Sequence, residues 1–381
     1  MLNIQSKLPG VSTTIFSVMS KLAAEHNAIN LSQGFPDYPC DPKLTELVDK
    51  AMKDGFNQYA PMPGNTFLKE TIAEKVHNLY NVKYNPDTEI TVTAGGTQAI
   101  FTALAAIINP GDEVIIFEPA YDSYAPTIKL LGGLVKTYEL APPAYSIDWD
   151  MVKKLFTART RMIILNSPQN PTGSILSEND MEQLTKLVSG TDILILGDEV
   201  YEHLIYDGQQ HKSVMLFPEL KERSFVIASF GKLLHATGWK LGYCLAPERL
   251  TKEFRKVHQF NVFSVNSPMQ QAIADYIKEP SHYNGITAFF EKKRNYFRTL
   301  LADSRFELLP CRGSYFQCAA YRNISDEKDT DFSIRLIKEF GVATIPVSAF
   351  YQKANDHKII RFCFAKEDST LALAAEKLKN V

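Results

Sequence analysis

Lys232 and Lys240 stand eight residues apart in the stretch SFGKLLHATGWK, which lies between the apolar runs FVIA and LGYCLA. Lysine side chains are almost never fully buried unless their charge is paired. The stretch is therefore either a surface loop between two strands or a place where two amines meet chemical partners. Because the spacing leads the chain out of one predicted strand and back into the next, both amines can return to one crevice.

A second group of candidates follows the first predicted strand. Gly95, Gly96, Thr97 and Gln98 open a predicted helix, and free N–H groups, a hydroxyl and the positive end of the helix dipole together suit a phosphate group. An ordinary helix N-cap with tight-turn glycines would explain the same residues. The sequence contains neither G-x-x-x-x-G-K-S/T nor G-x-G-x-x-G, so it lacks the fingerprints of a P-loop and of a dinucleotide site.

Polar or aromatic side chains also follow the other predicted strands. Tyr121 follows the second, Asn170 lies in NSPQNPTG after the third, Asp198 and Tyr201 follow the fourth, and Ser229 ends the fifth. Asp198 ends a very apolar strand, where an ionised carboxylate needs a cationic partner; capping of a following helix, DEVYEHLIY, is the alternative. Ligands bind beyond the carboxyl ends of the strands in an open α/β sheet. Consecutive strand ends of this kind therefore point to a single crevice, although Asn-Pro alone marks many turns.

The elements that would carry these residues alternate in type along the middle of the chain. Unbroken apolar runs rich in Ile and Val predict strands that are covered on both faces. The predicted strands are EITVTA (89–94), EVIIFE (113–118), RMIILN (161–166), DILILG (192–197), SFVIAS (224–229) and KLGYCLA (240–246). Helical stretches such as TQAIFTALAAIIN lie between several of them, so the pattern predicts an α/β fold with a mostly parallel sheet wrapped by helices.

The composition of the sequence changes after about residue 280. A long charged stretch of helical pattern, ITAFFEKKRNYFRTLLADS, is followed by FELLPCRGSYFQCAAY and HKIIRFCFA. We interpret residues 281–381 as a smaller α+β domain that follows a large domain of residues 46–280. Residues 1–45 are predicted to form an N-terminal arm and part of the small domain.

Composition and charge exclude several classes of protein. The chain has 381 residues, of which 45% are hydrophobic, and its formal net charge is −2 without a basic block, so neither nucleic acid nor an anionic membrane is an expected partner. No apolar run approaches the roughly 18 residues of a membrane-spanning helix, and the N-terminus has no signal-peptide layout. The five cysteines include no C-x-x-C pair, so we expect no disulfide framework and a cytoplasmic location. The eight histidines include no close pair, so we expect no metal site.

Taken in order along the chain, VTAGGTQAIF, NSPQNPTG, GDEVYEHLIYD, SFGKLLHATGWKLGY and IIRFCFAK resemble the class I pyridoxal-phosphate aminotransferases, which have the aspartate-aminotransferase fold. Within that family, INLSQGFPDY, NQYAPMPG, YDSYAP and VHQFNVFSVNSPMQ resemble the kynurenine and glutamine transaminase branch, and the likeness is greatest to bacterial methionine aminotransferases. Gly197, Gln169 and Leu233 depart from residues that are commoner in the family, but none removes a group that the mechanism requires. The resemblance implies a large domain with a mostly parallel, seven-stranded type of sheet and a smaller α+β domain.

The resemblance also implies a role for each strand-end residue. The ε-amine of Lys232 would bind the aldehyde of pyridoxal 5′-phosphate and then shuttle a proton between the substrate Cα and the coenzyme. Asp198 would hold the proton of the pyridine nitrogen, and Asn170 and Tyr201 would donate to the ring oxygen. Tyr121 would stack on the ring, with plain core packing as its alternative. The phosphate would be held by Gly96, Thr97, Gln98, Ser229 and Lys240, and by Tyr59 of the partner subunit in a homodimer.

The expected substrate is an amino acid held through its α-carboxylate. A planar guanidinium suits a carboxylate, and the resemblance assigns this role to Arg361 in IIRFCF, which would otherwise be a surface arginine on an edge strand. The backbone of Gly34 and the side chain of Asn170 would assist. The candidates for the side-chain pocket are Ile15, Phe16, Tyr38 and Phe263, and core packing explains each of them equally well.

We therefore expect an aminotransferase that moves the amino group of methionine, and also of aromatic amino acids, glutamine or kynurenine, to a 2-oxo acid by a ping-pong mechanism. A carbon–sulfur β-lyase acting on cysteine conjugates would use the same residues, because both reactions begin by removing the Cα proton. A non-enzymatic regulator on this fold would carry an added DNA-binding segment, whereas the aminotransferase arm here begins almost at residue 1. Side-chain selectivity rests on apolar contacts worth only about 1–3 kcal/mol each, so the sequence leaves the preferred donor and acceptor open.

Overall fold

The computed structural model describes residues 4–381. Its strands are β1 (Ile29–Asn30), β2 (Ile90–Thr93), β3 (Glu113–Glu118), β4 (Leu134–Glu139), β5 (Thr160–Asn166), β6 (Leu194–Asp198), β7 (Ser224–Ser229), β8 (Gly242–Leu245), β9 (Glu307–Leu308), β10 (Phe316–Ala320), β11 (Val342–Ala343), β12 (Ile345–Pro346) and β13 (Ile359–Cys363). Its α-helices are α1 (Ile15–Glu25), α2 (Pro42–Lys53), α3 (Thr66–Tyr80), α4 (Gly96–Ile107), α5 (Tyr124–Leu130), α6 (Trp149–Lys153), α7 (Glu178–Val188), α8 (Pro218–Lys221), α9 (Phe230–Leu233), α10 (Glu248–Asn261), α11 (Ser267–Ile277), α12 (Ile286–Leu300), α13 (Asp329–Phe340) and α14 (Asp368–Leu378). Short 3₁₀ helices cover Val214–Leu216, Thr237–Trp239, Pro280–His282 and Val347–Phe350. None of the helices described here is long and apolar enough to cross a membrane.

The central feature is a seven-stranded sheet in the order β2-β8-β7-β6-β5-β3-β4. β8 runs antiparallel to both of its neighbours, and the other pairs are parallel. This confirms the predicted mostly parallel sheet of an α/β fold. β3 and β7 have the bounds predicted from the sequence, because nearly all their residues are buried, as in a strand covered on both faces. β4 is not predicted, since LVKTYE is an edge strand with interspersed polar residues and no fully buried position.

Apolar side chains cover both faces of this sheet. Successive residues of one strand alternate between two hydrophobic clusters, with Ile115 and Ile195 in one cluster and Ile116 and Leu196 in the other. α4 packs on one face against β6, β7 and β8. Because both faces are occupied by the core, a ligand reaches the sheet at the ends of its strands.

A second unit forms around an antiparallel sheet in the order β12-β13-β10-β9. Its core includes Phe297 and Phe362, whose rings meet edge to face with centroids 5.7 Å apart. The N-terminal part of the chain joins this unit, since β1 pairs in parallel with β11 and the Leu31 N–H donates to the Ala343 carbonyl at 3.0 Å. The division into residues 1–45, 46–280 and 281–381 stays a prediction. The pairing of β1 with β11 is consistent with the predicted assignment of the N-terminal residues to the smaller domain.

Candidate active site

The carboxyl ends of the central strands meet at one edge of the sheet. In the strand register Asn166 lies beside Asp198, and Asp198 lies beside Ile227, two residues before Ser229. A cavity of about 280 Å³ opens at this edge. The sequence-predicted site residues that line it are Phe16, Gly34, Gly96, Thr97, Tyr121, Asn170, Asp198, Tyr201, Ser229, Lys232, Lys240 and Arg361. The fold therefore gathers into one cavity residues that range from the first helix to the last strand.

Lys232 lies in the short helix α9, directly after β7. Its Nζ donates to the Tyr315 hydroxyl at 2.8 Å and to the Gly34 carbonyl at 3.1 Å. Removal from bulk water, with smaller contributions from the cations Arg361 and Lys240, lowers the pKa of Lys232 to about 8. A lysine with such a pKa is partly unprotonated near neutral pH, and the free amine is a nucleophile and a base.

Asp198 ends β6 and is 3% exposed. The Tyr124 hydroxyl donates to its Oδ2, and the amide of Asn166 donates to its backbone carbonyl at 2.9 Å. Burial raises the pKa of Asp198 to about 6, although the hydrogen bond from Tyr124 opposes the rise. Within the described part of the chain this carboxyl has no ion-pair partner at 4 Å or less, so it is a buried acid that favours a cationic neighbour.

The start of α4 forms a polar wall of the cavity. Gly95 precedes the helix with φ of +83°, a conformation that glycine adopts without strain, and a Cβ there would come within 3.5 Å of Lys240 Nζ. The Thr97 hydroxyl lies 3.1 Å from the Tyr121 hydroxyl. The first N–H groups of the helix, a lysine amine and a hydroxyl are the groups expected of an anion site. Gln98 is different, because its side chain accepts from the Ala94 N–H at 2.9 Å and does not line the cavity.

Arg361 lies in the middle of β13, and its side chain is fully buried. Its Nη1 donates to Asn170 Oδ1 at 2.6 Å and its Nη2 donates to the Ser32 carbonyl at 2.8 Å, whereas its Nε has no partner. The guanidinium carbon stands 3.8 Å from the centroid of the Phe316 ring. Burial lowers the pKa of Arg361, and no carboxylate of residues 4–381 pairs with it. A buried guanidinium with an unpaired donor is matched by an anionic ligand. The alternative of a surface arginine is thereby wrong.

The remaining candidates lie outside the cavity. Ile15 lines a neighbouring groove formed by the N-terminal arm, and Tyr38 packs edge to face on the His235 ring at 5.1 Å. Tyr59 is 81% exposed, and its ring contacts that of Phe263 at 5.2 Å. Phe263 is itself 45% exposed. A single chain thus does not bring these residues to the site.

Sequence reasoning missed three residues that support the site. Tyr124 holds Asp198, Tyr315 meets Lys232, and Asn166 connects Asp198 to the Asn170 backbone, whose N–H donates to its Oδ1 at 2.9 Å. Tyr124 lies in the YDSYAP segment and Asn166 opens NSPQNPTG, so the family resemblance covers both residues but assigns them no role. Nothing local marks Tyr315, because the contact with Lys232 spans 83 residues.

The profile of the family described as "Aminotransferase class I and II" matches residues 26–378. The chain belongs to this family of aminotransferases. The aminotransferase predicted from the sequence is therefore confirmed at the level of the family.

Individual relatives match over nearly the whole chain. A methionine aminotransferase of Escherichia coli is 47% identical over 99% of this chain and 98% of its own length. A solved structure of YbdL from Escherichia coli, identified as a methionine aminotransferase, superposes with a TM-score of 0.98, 47% identity and full coverage of both chains. Kynurenine–oxoglutarate transaminase 1 of Rattus norvegicus is 34% identical over 98% of this chain and 97% of its own. A single mutant of aspartate aminotransferase from Thermus thermophilus, at 26% identity and full coverage of both chains, has a TM-score of 0.91, which confirms the aspartate-aminotransferase fold.

Proposed function

We propose that this protein is a pyridoxal-phosphate-dependent methionine aminotransferase that transfers the amino group to a 2-oxo acid by a ping-pong mechanism. One observation carries the proposal. The amine of Lys232, the carboxyl of Asp198 and the guanidinium of Arg361 face one cavity, and neither Asp198 nor Arg361 has an ion-pair partner in the described chain. A coenzyme with a cationic ring would supply a partner for Asp198, and an amino-acid carboxylate would supply one for Arg361.

The residues present fit pyridoxal phosphate. Gly96, Thr97, Ser229 and Lys240 would hold the phosphate at the start of α4, with backbone support from Gln98. Tyr121 would stack on the ring, and Asn170 and Tyr201 would donate to its oxygen. When bound, pyridoxal phosphate supplies an aldehyde that takes up the amino group and a ring that accommodates negative charge from Cα.

Each reacting position is then served by one side chain. The unprotonated fraction of Lys232, which its pKa of about 8 makes available near neutral pH, would take the proton from the substrate Cα and return a proton to the coenzyme side. Asp198 would hold a proton at the ring nitrogen, because the buried carboxylate would gain a cationic partner there. Arg361, Asn170 and the backbone of Gly34 orient the substrate through its α-carboxylate.

Methionine is the proposed donor for two reasons. The relative with 47% identity carries that activity in its name. The cavity wall beside Arg361 is aromatic, formed by Phe16 and Phe316, and Arg361 is the one guanidinium among the described residues that line it. A thioether adapts to such a wall, whereas the distal carboxylate of aspartate would be buried without a cation. Aromatic amino acids, glutamine and kynurenine are the further donors proposed.

We also propose that the enzyme is a cytoplasmic homodimer whose subunits complete each other's sites. The exposure of Tyr59 and Phe263, side chains that have the type expected near the phosphate and the substrate, supports a second copy over this surface. All five cysteines are free thiols, which supports a reducing compartment. Ile15, Tyr38 and Phe263 remain the proposed side-chain contacts beyond Phe16.

Half-reactions test the proposal directly. The protein loaded with pyridoxal phosphate is mixed with methionine, phenylalanine, glutamine, kynurenine or aspartate, and coenzyme absorbance is followed; the expected order places methionine first and aspartate last. A kcat/KM for aspartate equal to that for methionine would contradict the substrate assignment. Release of pyruvate and ammonia from a cysteine conjugate, faster than transamination and without a 2-oxo acid, would instead identify a β-lyase.

A further inference from the structure

One turn of chain carries both residues that would meet the coenzyme ring. Asp198 and Tyr201 line the cavity, whereas Glu199 and Glu202 of the same turn do not. Both glutamates are buried, with exposed fractions of 3% and 8%. The turn is closed by its own backbone, since the Glu202 N–H donates to the Glu199 carbonyl at 2.8 Å. Two buried carboxylates need hydrogen-bonding or charged partners. Because these carboxylates lie on the side of the turn away from the cavity, their partners help to fix the position of Asp198 and Tyr201.

Glu202 is held mainly by helix α3. The Lys75 ammonium lies 2.8 Å from its Oε1, and the Tyr80 hydroxyl donates to its Oε2 at 2.6 Å. The Tyr243 hydroxyl adds a contact at 3.3 Å, and Lys75 also donates to Tyr243 at 3.1 Å. Burial opposes ionisation, yet Lys75 and the neighbouring His203 hold the pKa of Glu202 well below its usual value. The pair is almost free of solvent contact, with 1% of the Lys75 side chain and 7% of the Glu202 side chain exposed.

Glu199 is held from the side of the sheet. It accepts from His211 Nε2 at 2.7 Å and from the Val214 N–H at 3.1 Å. The side chain folds back over Gly197, where a Cβ would stand 3.1 Å from Glu199 Oε1. A side chain at this position would require the Glu199 carboxylate to move by a few tenths of an ångström. The ring of His211 in turn lies edge-on to the Tyr80 ring at 6.2 Å, so α3 borders both carboxylates.

We propose that Lys75 and Tyr80, acting through Glu202, are positioning residues that fix the turn bearing Asp198 and Tyr201 and so set the geometry of the coenzyme ring site. α3 is suited to this task because it is a helix of 15 residues whose neighbours are α11 and β2 and whose register places both side chains on the turn. Breaking one partner of a buried ion pair leaves an uncompensated charge, so loss of Lys75 shifts or loosens the turn. This inference rests on the proposed function in one respect, namely that the ligand of the cavity is pyridoxal phosphate.

The test compares two variants with two matched controls. Lys75→Met removes the ammonium and Tyr80→Phe removes one hydroxyl. Lys69→Met removes another buried lysine of α3, 6% exposed, which pairs with Asp87 at 2.9 Å and does not touch the turn. Tyr84→Phe removes a buried hydroxyl that has no hydrogen-bond partner. The coenzyme-free proteins are titrated with pyridoxal phosphate, followed by visible absorbance well below their unfolding temperatures, and kcat and KM for methionine are then measured.

Lys75→Met and Tyr80→Phe are each expected to raise the Kd for pyridoxal phosphate about tenfold or more, because each removes a hydrogen bond to a charged group. kcat is expected to fall while KM changes little, because Arg361 is untouched. Lys75→Arg is expected to restore most of the binding. The two controls are expected to stay within about twofold of wild type even where their thermal stability falls.

Equal Kd values for Lys75→Met and Lys69→Met would overturn the proposal. If Lys75→Met does not fold, the comparison of Tyr80→Phe with Tyr84→Phe decides, and Kd values within twofold of each other would overturn it. Because the Kd is measured without turnover, failure of the proposed function can be distinguished from failure of the positioning role. The variants and controls could show the expected pattern of Kd values while the wild-type protein transaminates no amino acid. That result would contradict the proposed function but would leave the positioning role of Lys75 and Tyr80 intact.

Discussion

The inner wall of the cavity and its rim are built in different ways. Asp198, Lys232 and Arg361 on the inner wall are each fixed by hydrogen bonds to side chains or carbonyls of the same chain. The rim candidates Tyr59 and Phe263 are 81% and 45% exposed, and their rings contact each other edge to face. The groups proposed for the chemistry therefore meet within one chain, whereas Tyr59 and Phe263, proposed for the coenzyme phosphate and for side-chain selectivity, do not line the cavity of their own chain.

The largest effect is expected at Lys232, the most reactive group of the inner wall. Lys232→Ala removes the proton carrier, so kcat for methionine is expected to fall by about 10⁴-fold, the upper range for a general acid–base group. Single-turnover absorbance measurements at a fixed coenzyme load would show it. Lys252→Ala on α10, whose side chain is 69% exposed, is the control and should be unchanged. A Lys232→Ala protein within tenfold of wild type would remove this residue from the mechanism.

The second prediction concerns Asp198 in the coenzyme-free protein. Its pKa is raised from 3.8 to about 6, so the folded state binds this proton more tightly than the unfolded state does. Stability is therefore expected to fall as pH rises from about 4 to 6, by about 3 kcal/mol in total, and to stay lower above that range. Asp198→Asn is expected to lack this dependence and to be the more stable protein at pH 8, while losing most of its transamination rate.

Urea unfolding of both coenzyme-free proteins between pH 4 and 8 would measure this difference. Adding pyridoxal phosphate supplies the missing cation and is expected to stabilise wild type more than Asp198→Asn. Parallel pH profiles for the two proteins would mean that the Asp198 carboxyl does not have a raised pKa and is not the buried acid proposed as partner of the ring nitrogen. Capping of a following helix, the alternative that the sequence allows, is already wrong, because no helix begins in the eight residues after Asp198.

Part of the fold and of the candidate site can be predicted from the sequence, and part depends on contacts between distant elements. EVIIFE and SFVIAS were recognisable because both faces of β3 and β7 are buried, and their polar ends then located the crevice. LVKTYE was not recognised, because an edge strand carries no unbroken apolar run. The hydrogen bond between Lys232 and Tyr315, and the salt bridge between Lys75 and Glu202 across 127 residues, follow from the packing of distant elements and leave no local pattern.

Tyr59 offers the means to test whether the rim belongs to a second copy. Tyr59→Ala is expected to raise the Kd for pyridoxal phosphate about tenfold, the loss of one hydrogen bond to a charged phosphate. Mixing Tyr59→Ala chains with Lys232→Ala chains under conditions that exchange subunits is expected to restore about a quarter of the wild-type sites, because each hybrid dimer regains one complete site. No recovery on mixing would show that Tyr59 serves the site of its own chain or none.

Two neighbouring residues of α1 lie on opposite sides of the division between wall and rim, and the smallest effect of all is expected at one of them, Ile15. Phe16 lines the inner cavity, and its ring centroid is 5.3 Å from the guanidinium carbon of Arg361. Ile15 lines the outer groove instead. Phe16→Leu removes a desolvated cation–π contact worth about 1–2 kcal/mol and is expected to lower kcat/KM for every amino acid by about 5- to 30-fold, because the carboxylate is common to all of them.

Ile15→Val removes one methylene group from the groove and is expected to change kcat/KM for methionine by less than about threefold, with a shift in the ratio of methionine to phenylalanine as its signature. The two variants thus separate binding of the common carboxylate from selection of the side chain. Steady-state kinetics with both donors at a saturating 2-oxo acid would measure both. If Phe16→Leu altered the donor ratio while Ile15→Val altered neither donor, the side-chain pocket would lie in the inner cavity, and selectivity would be decided within one chain after all.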